Sequence, residues 1–300
     1  MKRVLFYTEN NWVFGKLFNE LVKYLYPEYD CDILDWGKIQ PREDTDRMQQ
    51  KYDLFFSTPV GCFFLHDTYG IPLTRCYGHA HSDFDVVDAV RRFPLDYFNQ
   101  LCGYAVVSRP LVGISFSHGV PRIPDILPVG VTCTNYRRPP ATQIKKLGYF
   151  GRMSRQDNKF DIKRGYLAQR VAEQAKLTLW HREGVHFIVA DRLYHEVDIV
   201  IFCSLVEGNP YVALEAMAAG LPVLGTDVGI FSELSKAGAG VILPFHEDAF
   251  VAHAVEAIHL LQAQPELYRI MSQAAITLSQ QYDWSVIKEQ WLKTLRSVTE

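Results

Sequence analysis

The sequence predicts an α/β protein of two doubly wound domains, each with a parallel sheet. Three observations carry this prediction. Short apolar runs alternate with helix-patterned stretches along both halves of the chain. A polar, Pro-rich run at residues 135–140, Asn-Tyr-Arg-Arg-Pro-Pro, reads as the linker between the halves. Three hundred residues with 48% hydrophobic content can bury two cores of ordinary size. The domains are drawn at residues 1–140 and 141–283, with residues 284–300 as a terminal helix.

In the first half, residues 3–7 read as a strand. Residues 12–26 read as a helix with Val13, Leu17, Leu21 and Leu25 on one face. Residues 31–34, 54–57, 104–108 and 111–115 are further strand candidates. In the second half, strands are expected near 147–150, 177–180, 186–190, 199–203, 222–226 and 240–243. Helices fill the intervals and residues 247–281. Trp284, Ile287, Trp291 and Leu295 then recur at helical spacing, a stripe suited to core packing.

Composition narrows the function classes. A net charge of −3 gives no global attraction to nucleic acid. No apolar stretch approaches the length of a membrane span, and residues 2–7 are too short for a secretory leader. The six cysteines (Cys31, Cys62, Cys76, Cys102, Cys133, Cys203) lack metal-ligand or redox spacing, so free thiols in a reducing cytoplasm are expected.

The most informative segment runs from Glu207 to Val223, Glu-Gly-Asn-Pro-Tyr-Val-Ala-Leu-Glu-Ala-Met-Ala-Ala-Gly-Leu-Pro-Val. The apolar run at 198–204 before it reads as a buried parallel strand. Asn209 suits an N-cap and Pro210 the first helical position. Residues 213–219 are helix formers, Gly220 is placed as a C′ residue, and Pro222 stops the helix. The loop therefore aims backbone N–H groups and a positive dipole end at the mouth of a sheet, where a diphosphate binds well. Glu207 and Glu215 beside such an anion site make sense if they hold hydroxyl-bearing groups, such as those of sugars.

This Glu, seven residues, Glu pattern resembles the retaining GT-B glycosyltransferases of the group-1 (family 4) class. Thr226-Asp227-Val228-Gly229 with Glu233 is similar to the strand and loop that follow it there. Gly148-Tyr149-Phe150-Gly151-Arg152-Met153 is similar to the strand and Gly-Arg turn that open the donor domain. Tyr52 to Ser57 and Pro128 to Val131 match weaker landmarks. The resemblance is strong over 198–243, fair over 147–180 and thin before 147. It implies two Rossmann-like domains facing a central cleft, with the terminal helix crossing back onto the first. It also implies a nucleoside-diphosphate sugar donor on the second domain and a glycan, lipid or small-molecule acceptor on the first, with retention of anomeric configuration. No metal cofactor is implied, and peripheral membrane contact is compatible with it.

Two departures stand out. Only a short strand and turn fit between Leu179 and Asp198, so the second domain is shortened where the family grips the base. The glycine-rich turn after the first strand is replaced by Thr8-Glu9-Asn10-Asn11-Trp12.

Site residues follow from the same resemblance. A departing diphosphate needs fixed cations where no metal serves. Arg152, directly after Gly151, is the first. The second comes from Lys159, Lys163 or Arg164, and Lys163 is chosen because Leu167, Ala168 and Ala172 follow at the family's spacing; Gly165 is displaced by one position. Residues 77–83 resemble the loop that places a histidine beside the sugar. His79 fits best, with His81 as the alternative, and its near-neutral pKa would make its charge tunable. Two histidines at that spacing could also ligate zinc, though no further ligand lies nearby. His66 and His118 have no motif around them. The nearest Asp-x-Asp sequence, Asp83-Phe84-Asp85, lies in the same His-rich stretch. Glu207 would accept from the sugar and Glu215 from the ribose. Asn209 and Pro210 shape the nucleotide-sugar loop, with Tyr211 and Val212 giving N–H groups to the diphosphate. Trp180 either stacks on a base or packs in the core. Two other readings remain: a GT-B sugar-nucleotide 2-epimerase, and a non-catalytic sugar-nucleotide-binding or interaction domain.

Overall fold

A computed structural model describes residues 1–9, 13–36, 45–141, 143–153, 161–181 and 190–299. The chain divides into two units, Met1–Gly130 with Trp284–Glu300, and Val131–Asp283. The first unit contains β1 (Lys2–Thr8), α1 (Val13–Leu25), β2 (Tyr29–Asp35), α2 (Thr45–Lys51), β3 (Leu54–Ser57), α3 (Pro59–Tyr69), β4 (Cys76–Ala80), α4 (Asp83–Arg92), α5 (Tyr97–Gln100), β5 (Gly103–Val106), α6 (Arg109–Ser117) and β6 (Asp125–Ile126). Its strands run parallel in the order β2-β1-β3-β4-β5-β6.

The second unit contains β7 (Lys146–Tyr149), α7 (Gly165–Gln174), β8 (Thr178–His181), α8 (Ala190–Leu193), β9 (Ile199–Phe202), α9 (Tyr211–Ala218), β10 (Val223–Thr226), α10 (Phe231–Lys236), β11 (Gly240–Leu243), α11 (Glu247–Ala263) and α12 (Pro265–Ser279). Its sheet is also parallel, in the order β11-β10-β9-β7-β8. The last helix, α13 (Trp284–Thr299), belongs to the first unit.

Continuous apolar runs form the central strands because helices cover both faces of a parallel sheet. All four residues of β3 and of β9 are buried. Leu147, Ile199, Ile201 and Leu224 pack against Leu167, Val171, Phe250 and Ile258 to make the second core. In the first unit, α13 buries Trp284 and Trp291, whose indole N–H groups donate to Glu20 (2.8 Å) and to the Pro128 carbonyl (2.9 Å). Each indole thus hides its ring and keeps its polar edge satisfied.

Three expectations are corrected. Residues 111–115 are not a strand but part of α6. Ser108 and Pro110 start a helix there, and Leu111 and Ser115, one turn apart, face inward. Residues 77–80 are not a loop but the buried strand β4. The helix over 247–281 breaks into α11 and α12 at Pro265, whose ring cannot continue it. The strand at 186–190 falls outside the described residues except for Ala190, which opens α8. Asn10, Asn11, Trp12 and Lys159 also lie outside them. The Pro-rich run at 135–140 lies past the division at Gly130, and Tyr136 within it is buried in the second unit.

Candidate functional site

The site is built at the carboxyl ends of β7 and β9, which are neighbours in the second sheet. After β9 the chain passes through Cys203 and Ser204 into the Glu207 loop and then α9. The end of α9 follows the expected pattern. Gly220 adopts φ +70°, its N–H donates to Met217 O, and that of Leu221 to Ala216 O, both at 2.9 Å. This is a Schellman stop that a side chain with Cβ would strain.

The start of α9 differs from expectation by one residue. Pro210 itself is the N-cap, with φ −70° and ψ 86°, and its carbonyl accepts from Ala213 N at 2.8 Å. A ψ of that value lies outside the helix, so Tyr211 is the first helical residue. Asn209 therefore does not cap; both polar atoms of its amide are buried without a hydrogen-bond partner.

Lys163 reaches Glu207: its ammonium donates to Oε1, which also accepts from the Ser204 hydroxyl at 2.7 Å. The approach of Lys163 is set by Asp161, whose carboxylate accepts from the Lys163 backbone N–H at 3.0 Å. The same carboxylate lies 3.5 Å from the Arg152 guanidinium. Asp161 is enclosed while the Arg152 side chain is 63% exposed, so Arg152 is tethered at one side and open to solvent on the other. Gly165 explains the displaced glycine. A Cβ there would lie 2.9 Å from the Arg152 carbonyl, so only glycine lets α7 begin against this turn.

Arg164 is structural. It sits at φ +46°, is buried, and donates to the carbonyls of Cys203 (2.8 Å) and Phe245 (2.7 Å). It ties the ends of β9 and β11 together while Lys163 points the other way to Glu207.

Glu215 lies inside the second unit, with 5% of its surface exposed. Its Oε1 accepts from the Tyr136 hydroxyl at 2.5 Å and its Oε2 from that of Tyr194 at 2.7 Å. Burial, followed by the Glu215 charge, pushes both phenols up, so they stay protonated donors. Trp180 on β8 meets Phe150 edge to face at 5.9 Å, and Phe150 meets Tyr194 at 4.5 Å. An aromatic row thus links β8 to the Glu215 cluster.

The first unit does not offer His79 as a surface group. His79 has no exposed surface, packs against Phe56 and Trp291, and its Nε2 is 2.9 Å from the Leu127 carbonyl. Burial pushes its pKa down to about 3, so its charge is not tunable near neutrality. His81, at the carboxyl end of β4, keeps some surface, and its ring lies 4.2 Å from that of His79. Burial, and then His79, lower its pKa as well. Asp83-Phe84-Asp85 opens α4. The Asp85 carboxylate accepts from the N–H groups of His81 (2.8 Å) and Ser82 (3.0 Å) as part of a capping box. His66 contacts the Ile71 carbonyl, and His118 ends α6. Among the described residues no group of three or more His, Cys, Asp or Glu is arranged to hold a metal ion.

Residues 180–277 match the model of the family described as glycosyl transferases group 1. This match lies within the second unit. A comparison with curated protein sequences finds no match. Among solved structures, HepE from Anabaena in complex with UDP and glucose is similar at a TM-score of 0.75 and 15% identity, over 99% of this chain and 100% of that one. The same protein in complex with UDP-glucose gives 0.72 at 15% identity, with the same coverage. Sucrose-phosphate synthase from Thermosynechococcus elongatus gives 0.69 at 13% identity, over 99% of each chain. The fold is GT-B. In the second unit the contacts that sequence reasoning missed are Ser204, Asp161, Tyr136 and Tyr194. Ser204, three residues before Glu207, and Asp161, two before Lys163, were within reach of local spacing; the tyrosines were not.

Proposed function

We propose that the chain is a glycosyltransferase that moves a sugar from a nucleoside-diphosphate sugar to a glycan, lipid or small-molecule acceptor, with retention at the anomeric carbon. The observation that carries this reading is the Lys163–Glu207 pair beside the start of α9. One cation, one carboxylate and a helix N-terminus converge there, as a sugar diphosphate requires. Lys163 and Arg152 would offset charge as the diphosphate departs, helped by the N–H groups of Tyr211 and Val212. Glu207 would accept from sugar hydroxyls, and Glu215 from those of the ribose. Asn209 and Pro210 shape the loop between them. The group 1 match and the nucleotide-bound similar structures support the donor class.

On the first unit we assign the functional histidine to His81 rather than His79, because His81 stands at the carboxyl edge of the sheet and retains surface. Held neutral, its imidazole would act as a hydrogen-bond donor. Among the described residues no side chain stands out as a carboxylate nucleophile, which favours attack from the face that the diphosphate leaves.

We assign the charge compensation to protein groups, so a chelator should leave turnover unchanged. Activity abolished by a chelator and restored by Mn²⁺ would contradict that mechanism. With all six cysteines unpaired, we place the reaction in a reducing, cytoplasmic setting; among the described residues no helix is long and apolar enough to cross a membrane.

The test is a thermal-shift screen against nucleotide sugars, followed by donor consumption. Ligand at about a hundred times its dissociation constant adds roughly 2.7 kcal/mol of stability. Binding with slow hydrolysis of the donor supports a transferase. Binding without any consumption, even with acceptors present, would make this a binding domain instead.

A further inference from the structure

We infer that Tyr136 and Tyr194 are positioning residues of the donor site, holding Glu215 so that it distinguishes a ribonucleotide from a deoxyribonucleotide. The inference rests on the proposed role of Glu215 toward the ribose. What it adds is the pair of tyrosines, which come from remote parts of the second unit.

A carboxylate with 5% exposure is costly unless its oxygens are hydrogen-bonded. Here each oxygen receives one phenol, at 2.5 and 2.7 Å. Hydrogen bonds to an ionised acceptor are the short and strong kind. Glutamate is a flexible side chain, and two donors on different oxygens fix both its position and the plane of its carboxylate.

The donors themselves cannot swing. Tyr136 follows a 3₁₀ turn at Cys133–Asn135, and Tyr194 opens another at Tyr194–Glu196, just before β9. Each ring is 1% exposed, and the two meet edge to face at 5.6 Å and 69°. Phe150 packs on Tyr194 at 4.5 Å, and the Tyr194 carbonyl accepts from Arg138 at 2.9 Å. The Tyr136–Glu215–Tyr194 bridge is therefore rigid on both sides. A carboxylate oxygen can accept about two hydrogen bonds, and the first donor on each oxygen sets the direction from which another hydroxyl meets it. Vicinal ribose hydroxyls need both oxygens in one fixed plane; a lone hydroxyl does not.

A purely structural brace would hold the same three residues together. Discrimination separates the two roles, because a brace affects stability and a positioning pair affects the ribo-to-deoxy ratio. Calorimetric titrations of the full chain with UDP, GDP and ADP, each beside its 2′-deoxy form, give that ratio. The wild type should prefer the ribonucleotide by about tenfold or more, the worth of one hydrogen bond to a charged group. Tyr136→Phe and Tyr194→Phe should each bring the ratio toward unity while changing deoxynucleotide affinity less than threefold (about 0.6 kcal/mol).

The failures are distinguishable. A wild-type protein that binds none of the three diphosphates overturns the donor reading. Equal binding of ribo and deoxy forms by the wild type overturns the ribose contact of Glu215. Folded Phe variants that keep the wild-type ratio overturn the tyrosine assignment alone. If one variant does not fold, the other decides. Loss of fold in both makes the tyrosines structural and overturns the assignment as well.

Discussion

The two units share one design, a parallel sheet wrapped by helices, but they treat polar groups at the carboxyl edge of the sheet in opposite ways. In the second unit, Lys163, Glu207, Ser204 and Asp161 form a partnered, partly open cluster beside α9. In the first, His79 is walled in by Phe56 and Trp291, and His81 lies against it. A polar residue near a strand end is thus a functional candidate only after its surroundings are known. The second unit leaves its charges partly open; the first uses an imidazole as core.

The strongest way to break this contrast is to remove what encloses His79. Trp291→Ala deletes a buried indole and leaves a cavity, at a cost of about 3–5 kcal/mol. Amide exchange should accelerate in β4 and β5 and stay near wild type in β9 and β10. Equal acceleration in both sheets would show that the two units do not hold their cores independently. His79→Ala should share this structural signature, whereas His81→Ala should lose turnover with little loss of stability.

Next in size is the charge cluster. Lys163→Ala and Arg152→Ala should each reduce turnover by about 10²–10³, the scale of losing one donor to a developing anion, with melting temperature nearly unchanged. Near-wild-type turnover in either variant removes that residue from the site. Arg164→Ala should do the reverse and destabilise the second unit, because its guanidinium bonds two carbonyls in the interior.

Much of the second unit was legible in the sequence because buried parallel strands are continuous apolar runs and α9 carries its own stop signals. Phe202, Gly220 and Pro222 state their roles locally. The first unit hid more. Residues 111–115, Leu-Val-Gly-Ile-Ser, are mostly apolar and short enough to suit a strand or a buried helix turn. Cys76 to Ala80 looks like a loop because Gly78 and His79 are poor strand signals. His79 is acceptable there only because the Leu127 carbonyl, far along the chain, meets its ring. At the candidate site, the family resemblance pointed to Arg152 and the loop and helix pattern to Glu207 and Glu215, but the contrast between Lys163 and Arg164 is one of direction. The bonds from Tyr136 and Tyr194 to Glu215 join segments that no local pattern relates.

The two glutamates sharpen the comparison within the second unit. Replacing a carboxylate by its amide removes a charge-assisted acceptor worth roughly 1.5–3 kcal/mol. Glu207→Gln should weaken the intact sugar donor and leave the free nucleoside diphosphate almost untouched. Glu215→Gln should weaken both ligands and also lower the stability of the second unit, since one of the two buried phenols then meets an amide NH2 in place of an acceptor and the other loses the charge on its acceptor. Calorimetry with both ligands, together with urea unfolding, reads all of these. Equal losses of free diphosphate in the two variants would show that the glutamates do not divide sugar from ribose.

The smallest expected effect is a pH slope in the first unit. An unfolded histidine titrates near pH 6.5 and an unfolded aspartate near about 3.9. Burial lowers His79 to about 3, so the stability it contributes is fully present above pH 6.5 and is lost as pH falls toward 3. His81 is shifted in the same direction. Asp85 acts oppositely. Burial raises it to about 6, against the pull of its bonds from His81 and Ser82. Between about pH 4 and 6 the folded chain keeps a proton on Asp85 that the unfolded chain has released, so acid favours folding there. His79 and Asp85 act against one another in that window, and His81 adds to the loss of stability in acid. Stability of the first unit should then fall as the pH drops from 6 to 4. Asp85→Asn removes the opposing titration and should steepen the slope, whatever its effect on absolute stability. Urea unfolding at pH 6, 5 and 4 measures both slopes. A wild-type slope of zero would mean that the histidines take up protons in the folded state, and that the edge of the first sheet is as open to charge as that of the second.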